Sequence, residues 1–177
     1  MLTDVDVAAD SVKVFPGVDY TPLNAQYPYC MHDPPSQNNV TRDIAVLSKL
    51  TNIVRLYGSD CNQTEMVIHA IQQLELQNTM RLWISVWLDK NTTTNDRQLS
   101  QLYSILDEFD DTYFEGVIVG NEVLFREDMT VTELAGVMDS VRSNLTAKGH
   151  SLPVATSDLG SAWTAELAAS SDYLLSK

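Results

Sequence analysis

Short apolar, β-branched runs alternate with helical stretches along the chain, and this alternation limits the fold more than any other feature. The runs cover residues 17–20, 53–57, 81–88, 116–119 and 152–156, and residues 173–175 open a sixth. Pro16 precedes the first run and cannot donate to a strand ladder, so that strand starts near Gly17. A polar, proline-containing loop then leads to about Asn39. Apolar residues recur at helical spacing between the runs. Val40, Ile44 and Leu47 mark a helix over about 41–50, and Val67, Ala70, Ile71 and Leu74 mark a second. Leu99, Leu102, Tyr103, Leu106 and Phe109 mark a third, and Leu134, Val137, Met138, Val141 and Leu145 a fourth. A fifth is expected around 161–169. Asn62 with Glu65 and Thr130 with Glu133 read as capping pairs for the second and fourth helices.

Strands this apolar, each followed by a helix, belong in a parallel sheet covered on its outer face. Two architectures fit, an open doubly wound sheet and a closed barrel. Doubly wound nucleotide binders carry a glycine-rich phosphate loop after the first strand. Here that position holds Tyr20-Thr21-Pro22-Leu23-Asn24, without glycine. The pattern therefore points to an α/β (β/α)8 TIM barrel. Such a barrel typically takes about 250 residues, and the chain has 177. The expectation is an N-terminal portion with about five βα units and the start of a sixth strand. Residues 1–177 then form part of a single domain, with 1–13 as a flexible lead-in. Such a portion leaves strand edges unpaired and its interior open to water, so it should be unstable, oligomeric or completed by another chain.

The formal net charge is −13, from 24 acidic and 11 basic residues. No basic cluster exists to neutralise phosphates, which argues against nucleic acid and anionic membrane surfaces as partners. A neutral substrate such as a sugar suits this charge. No apolar run reaches the roughly 18 residues of a membrane span. The opening residues Met1-Leu2-Thr3-Asp4 have no basic or apolar signal-peptide region. His32, His69 and His150 show no ligand spacing, so no metal site is expected, and no cofactor is implied. Cys30 and Cys61 both fall in loops at one end of the fold and are expected to form a disulfide; two unpaired buried thiols are the alternative. Four glycosylation sequons begin at Asn39, Asn62, Asn91 and Asn144, in predicted loops or on a polar helix face. With the cysteine pair they lean towards a secretory route.

Function in a parallel barrel gathers at the C-terminal strand ends. Those ends carry Asp19 and Tyr20, then Arg55, Tyr57 and Asp60, then Trp87 and Asp89, then Asn121 and Glu122, then Ser157 and Asp158. Carboxylates and amides bind hydroxyls and aromatic rings stack on sugar faces, so this ring suits sugar recognition. Glu122 directly follows an apolar strand, where partial desolvation would raise its pKa towards that of a general acid; the alternative is a solvated loop start or a cap. Arg55 is expected to face the interior and orient a carboxylate, or to form a structural ion pair there. Trp83 and Trp163 read as packing residues, and His32 receives no role.

Four segments together resemble glycoside hydrolase family 17, in its fungal cell-wall branch. They are Gly17-Val18-Asp19-Tyr20, Val54-Arg55-Leu56-Tyr57-Gly58-Ser59-Asp60-Cys61-Asn62-Gln63, Val119-Gly120-Asn121-Glu122, and Pro153-Val154-Ala155-Thr156-Ser157-Asp158. The resemblance runs from about Phe15 to Leu175. It implies a retaining β-1,3-glucan hydrolase or glucanosyltransferase that remodels wall glucan, secreted or in the cell wall. It implies Glu122 as acid/base, and Tyr20, Arg55, Tyr57, Asn121 and Asp158 as residues shaping the cleft. The family's nucleophile lies on a later strand in a Glu-Thr-Gly-Trp-like segment, and none occurs among these 177 residues. The chain by itself is therefore expected to be inactive on β-1,3-glucan. The alternative is a catalytically inactive glucan-binding or cell-wall structural protein.

Overall fold

The structure, a computed structural model, describes residues 13–177. The expected lead-in over 1–13 lies, apart from Lys13, outside the described residues. Among the described residues six strands appear: β1 (Val18–Asp19), β2 (Ile53–Arg55), β3 (Arg81–Val86), β4 (Phe114–Asn121), β5 (Val154–Asp158) and β6 (Leu174–Ser176). Five α-helices connect them: α1 (Gln37–Leu47), α2 (Gln63–Gln73), α3 (Thr92–Glu108), α4 (Val131–Lys148) and α5 (Ala165–Ser170). All strand pairs are parallel, and the sheet order is β1-β2-β3-β4-β5-β6. A doubly wound sheet reverses its strand order at a switch point; this sheet never does.

The sheet is curled into a half-barrel. The Arg55 guanidinium on β2 reaches Ser157 Oγ on β5 at 3.2 Å. Three strand spacings separate β2 from β5, about 14 Å in a flat sheet. One side chain closes that gap only because the strands wrap around it.

Alternation along the strands separates two environments. Val54, Leu56, Leu82, Ile84, Val86, Leu88, Val117, Val119 and Val154 join the core cluster with Ile44, Val67, Leu102, Met138 and Leu145 of the helices. The opposite face of β2, β3 and β5 presents Arg55, Tyr57, Trp83, Ser85, Trp87 and Ser157. On β2 and β3 the helix layer thus takes the apolar half of the strand and leaves the polar and aromatic half to the concave side, while β4 and β5 also turn Ile118 and Ala155 away from the helix-side cluster.

Element boundaries depart from the sequence reading for local reasons. α1 begins at Gln37, directly after Pro34-Pro35 and an extended Ser36, because proline keeps its predecessor out of the helical region. Thr164 caps α5 through Leu167 N–H, so the fifth helix starts late and a 3₁₀ turn at Gly160–Ala162 precedes it. The Asn62–Glu65 pair does not cap α2. Cys61 and Asn62 are both left-handed, with φ of 62° and 55°. The Asn62 side chain makes no capping bond, and Glu65 instead accepts from Gln101 Nε2 at 2.6 Å. Thr130 and Glu133 do form a reciprocal capping box on α4. The two bonds to Thr130 hold the Glu133 carboxyl below the usual glutamate range, its backbone N–H contributing most.

Cys30 and Cys61 form a disulfide with Cα atoms 5.9 Å apart. It ties the β1–α1 loop to the start of α2. The bond spans 31 residues, for which loop-closure entropy gives about 3.5 kcal/mol. A Cys30→Ser/Cys61→Ser double variant should lose roughly that much unfolding free energy in urea titration. Thiol titration of the unreduced, denatured protein should find neither cysteine free.

Candidate active site

The concave face at the C-terminal strand ends is organised around Arg55. Its Nη2 donates to Asn121 Oδ1 at 2.9 Å and its Nη1 to Ser157 Oγ at 3.2 Å. Its Nε lies 3.9 Å from Asp19 Oδ1, and its guanidinium sits 4.8 Å from the Tyr57 ring centroid. One planar cation thus touches groups from β1, β4 and β5 as well as its own strand. The Arg55 side chain is 13% exposed, and at such depth the fork geometry of a guanidinium matters more than its charge alone. Tyr57 donates its hydroxyl to Asp19 Oδ2 at 2.7 Å. Burial first, and then this Asp19 bond, raise the Tyr57 pKa, so the phenol remains a donor at working pH.

Asn121 is 6% exposed. With its carbonyl oxygen accepting from Arg55, its amide nitrogen is the donor left for the cleft, since an amide offers one acceptor and one donor group. Gly120 before it has φ of 81°, and Glu122 after it has φ of 54°. These left-handed residues break the strand's alternation and bring two consecutive side chains to one mouth. For a glutamate this conformation is strained, and the surroundings hold it. Glu122 N donates to Ser157 O at 2.7 Å, and Arg126 N donates to Glu122 O at 2.9 Å. A Cβ on Gly120 would meet Val123 Cγ2 at 2.5 Å. Glu122 stands at the mouth, partly out of water. Its side chain is 28% exposed and accepts from Lys177 Nζ at 3.0 Å. That ammonium also lies 5.2 Å from the Tyr57 ring centroid.

Two of the expected cleft residues face away from this cluster. Tyr20 donates its hydroxyl to Asp43 of α1 at 2.7 Å and packs against the helix-side core. Burial and that bond raise its pKa, burial most. Its neighbour Asp19 pairs in register with Arg55, and one step along a strand turns the side chain to the other face. Asp158 is fully buried. Its carboxylate accepts from Leu124 N at 2.9 Å and Leu159 N at 2.8 Å. It holds the loop behind Glu122, while Ser157 takes the inward position.

A cleft of about 740 Å³ opens beside Asn121, with Tyr57, Trp87, Asp89 and the β1–α1 loop among its walls. Sequence reading missed Arg126, which ties several of these parts together. It donates to the carbonyls of Asn121 and Leu88 and pairs with Asp128. Its guanidinium lies 4.3 Å from the Trp87 ring centroid. Gln98, also missed, is buried and accepts from Ser59 N and Trp87 N at 2.8 and 3.1 Å. Neither residue stands on a strand or in a recognisable spacing, so the sequence alone carried no signal for them. The sequon residues Asn39, Asn62, Asn91 and Asn144 are all exposed. Asn91 caps α3 and borders the cleft.

A parallel half-barrel with an aromatic and polar cleft at its C-terminal strand ends suits an enzyme acting on sugars. A family model described as the BtgE/BtgC glycoside hydrolase domain matches residues 17–177, and the chain belongs to that family. Over 172 residues it is 55% identical to a probable glucan endo-1,3-beta-glucosidase btgC of Aspergillus flavus, covering 94% of this chain and 25% of the relative. Over 169 residues it is 56% identical to glucan endo-1,3-beta-glucosidase btgC of Emericella nidulans, covering 93% and 26%. The chain thus spans about a quarter of the length of these curated relatives. The glycoside hydrolase family 17 beta-1,3-glucanosyltransferase of Rhizomucor miehei superposes with a TM-score of 0.76 at 28% identity, over 91% of this chain and 56% of that one. An endo-laminarinase from Formosa shares the fold, with a TM-score of 0.74 at 17% identity, over 90% of this chain and 48% of that one.

Removing the Arg55 fork should loosen the site as a unit. A hydrogen bond to a charged group contributes about 1.5–3 kcal/mol. Arg55→Ala should lower unfolding free energy by about 3 kcal/mol or more in urea titration. Arg55→Lys, which keeps the charge and loses the fork, should recover only part of it. An Arg55→Ala protein with the wild-type urea midpoint would remove this residue from the centre of the site.

Proposed function

We propose that the chain is the N-terminal part of the catalytic domain of a retaining β-1,3-glucan hydrolase or transglycosylase, with Glu122 as its acid/base. The observation that carries this reading is the placement of Glu122: it directly follows β4 and its last residue Asn121, which Arg55 fixes and which lines the cleft. The six strands are the first six of a (β/α)8 barrel. The superposition on 56% of the Rhizomucor miehei glucanosyltransferase supports that reading.

In this scheme Glu122 protonates the glycosidic oxygen as the bond to the anomeric carbon breaks, then takes a proton from the incoming water or acceptor hydroxyl. A nucleophilic carboxylate about 5–5.5 Å away receives the glycosyl unit between these steps. That carboxylate comes from the later Glu-Thr-Gly-Trp-like segment, which is not among these 177 residues. The Asn121 amide and the Tyr57 hydroxyl position sugar hydroxyls, Arg55 holds both in register, and Trp87 offers a ring face. Tyr20 and Asp158 act on the cleft indirectly, through the α1 and β4–α4 contacts they make. The protein works in a secreted or wall compartment, a reading supported by the Cys30–Cys61 disulfide.

The test is laminarin turnover by the full-length protein that contains these residues. General acid/base groups contribute about 10²–10⁴-fold. Glu122→Gln should lower kcat by that order, while an exposed control, Glu127→Gln, should leave it unchanged. Full turnover by Glu122→Gln would overturn the assignment. Laminarin binding without turnover by the wild-type protein would favour a silent glucan-binding protein.

A further inference from the structure

Three aromatic rings line the cleft beside Asn121, and an arginine backs each of them. Arg55 backs Tyr57 and Arg126 backs Trp87, at 4.8 and 4.3 Å from the ring centroids. The third pair lies outside the site described so far. Arg97 of α3 stands 3.9 Å from the Tyr27 ring centroid. Tyr27 belongs to the β1–α1 loop and not to a strand end.

This third pair is also held by an ion pair, although Arg97 is the most exposed of the three arginines. Arg97 donates Nε to Asp60 Oδ2 at 2.9 Å, with Nη2 at the same distance from that oxygen. Asp60 is 8% exposed, while the Arg97 side chain is 30% exposed, so the carboxylate end of the ion pair is buried and its guanidinium end meets the cleft. The loop itself is tied down by the Cys30–Cys61 disulfide and by Asn24 Nδ2 donating to Asp33 Oδ2 at 2.6 Å. Yet Tyr27 remains 49% exposed on the cleft wall. A large ring with one face stacked on a fixed guanidinium and much of its area open is poorly explained as packing. A flat aromatic face held without conformational freedom suits the apolar face of a pyranose, because little entropy is lost on binding.

We infer that Tyr27, backed by Arg97 and Asp60, is a sugar-binding platform remote from the bond that reacts, and that it sets a preference for longer β-glucan chains. This rests on the β-glucan reading above. Asn121 and Tyr27 line one continuous cleft of about 740 Å³, so a chain extending from Asn121 along the cleft passes the loop that carries Tyr27. On this proposal a disaccharide seated at Asn121 and Tyr57 leaves the Tyr27 ring uncovered. Tyr27 touches none of the reacting atoms; its contribution is affinity for the units beyond them.

The experiment is isothermal calorimetry of full-length Glu122→Gln protein with linear laminarioligosaccharides of two to seven units. Affinity should rise with length and then level off. Adding Tyr27→Ala should weaken binding of the longest members about tenfold, the effect of losing one stacked ring face. It should leave the disaccharide unchanged. Tyr27→Phe should bind as the parent does. Arg97→Lys, which keeps a partner for Asp60 and loses the planar stack, should fall between. Equal weakening at every length would show a collapsed loop and overturn the platform, as would an unchanged length profile in Tyr27→Ala. Because binding is read in a Glu122→Gln background, a wrong catalytic assignment leaves this result interpretable. Binding of no oligosaccharide of any length would instead count against the β-glucan reading itself.

Discussion

The site depends on one largely buried cation. Arg55 stands on the concave face of a curled parallel sheet and donates to Asn121 and Ser157, on strands two and three places away. The same guanidinium lies near Asp19 and over Tyr57. Burying a guanidinium is costly unless its donors are met by polar groups. The interior of this half-barrel meets two of them, through Asn121 on β4 and Ser157 on β5, with the Asp19 carboxylate 3.9 Å from Nε, which makes no hydrogen bond, so the charge depends on the curvature that brings these strands together. The strand ends that carry Asn121 and Glu122 take their positions from this arrangement.

Around that centre, several interactions hold the mouth where alternation alone would not. Glu122 occupies a left-handed backbone conformation between Ser157 and Arg126. Asp158 fixes the same loop from behind, through Leu124. Arg126 bridges the carbonyls of Leu88 and Asn121 under the Trp87 ring. Strain at one residue is thus over-determined by its neighbours, as is common where geometry serves chemistry. The β1–α1 loop adds the outer wall and is stapled to α2 by the only two cysteines in the chain.

The sheet was legible in the sequence because its signal is local. Apolar runs and helical spacing identify β2 to β5 and α1 to α4, and proline or capping residues explain where the edges shifted. Glu122 and Asn121 were legible because they follow an apolar strand. The partners of Arg55 were not, since Asn121 and Ser157 lie 66 and 102 residues away. That Tyr20 and Asp158 turn away from the Arg55 cluster was not legible in the sequence. Each stands one step beyond an inward residue, Asp19 or Ser157; for Tyr20 a two-residue β1 carries too little pattern to fix which side faces in, and Asp158 is the last residue of β5, taken up by the backbone of the β4–α4 loop. Tyr27, Arg97 and Arg126 meet the cleft from loops and a helix, where neither strand alternation nor a motif marks a functional face.

The central claim is that Glu122 transfers the proton while another carboxylate attacks the sugar, and azide rescue tests that division directly. Full-length Glu122→Ala protein would be given an aryl β-laminaribioside whose leaving group needs no protonation. Glycosylation of the nucleophile should then proceed, and azide should replace the activated water and accelerate turnover, yielding the β-glycosyl azide. An α-glycosyl azide would make Glu122 the nucleophile, and the absence of any rescue would contradict its role as acid/base.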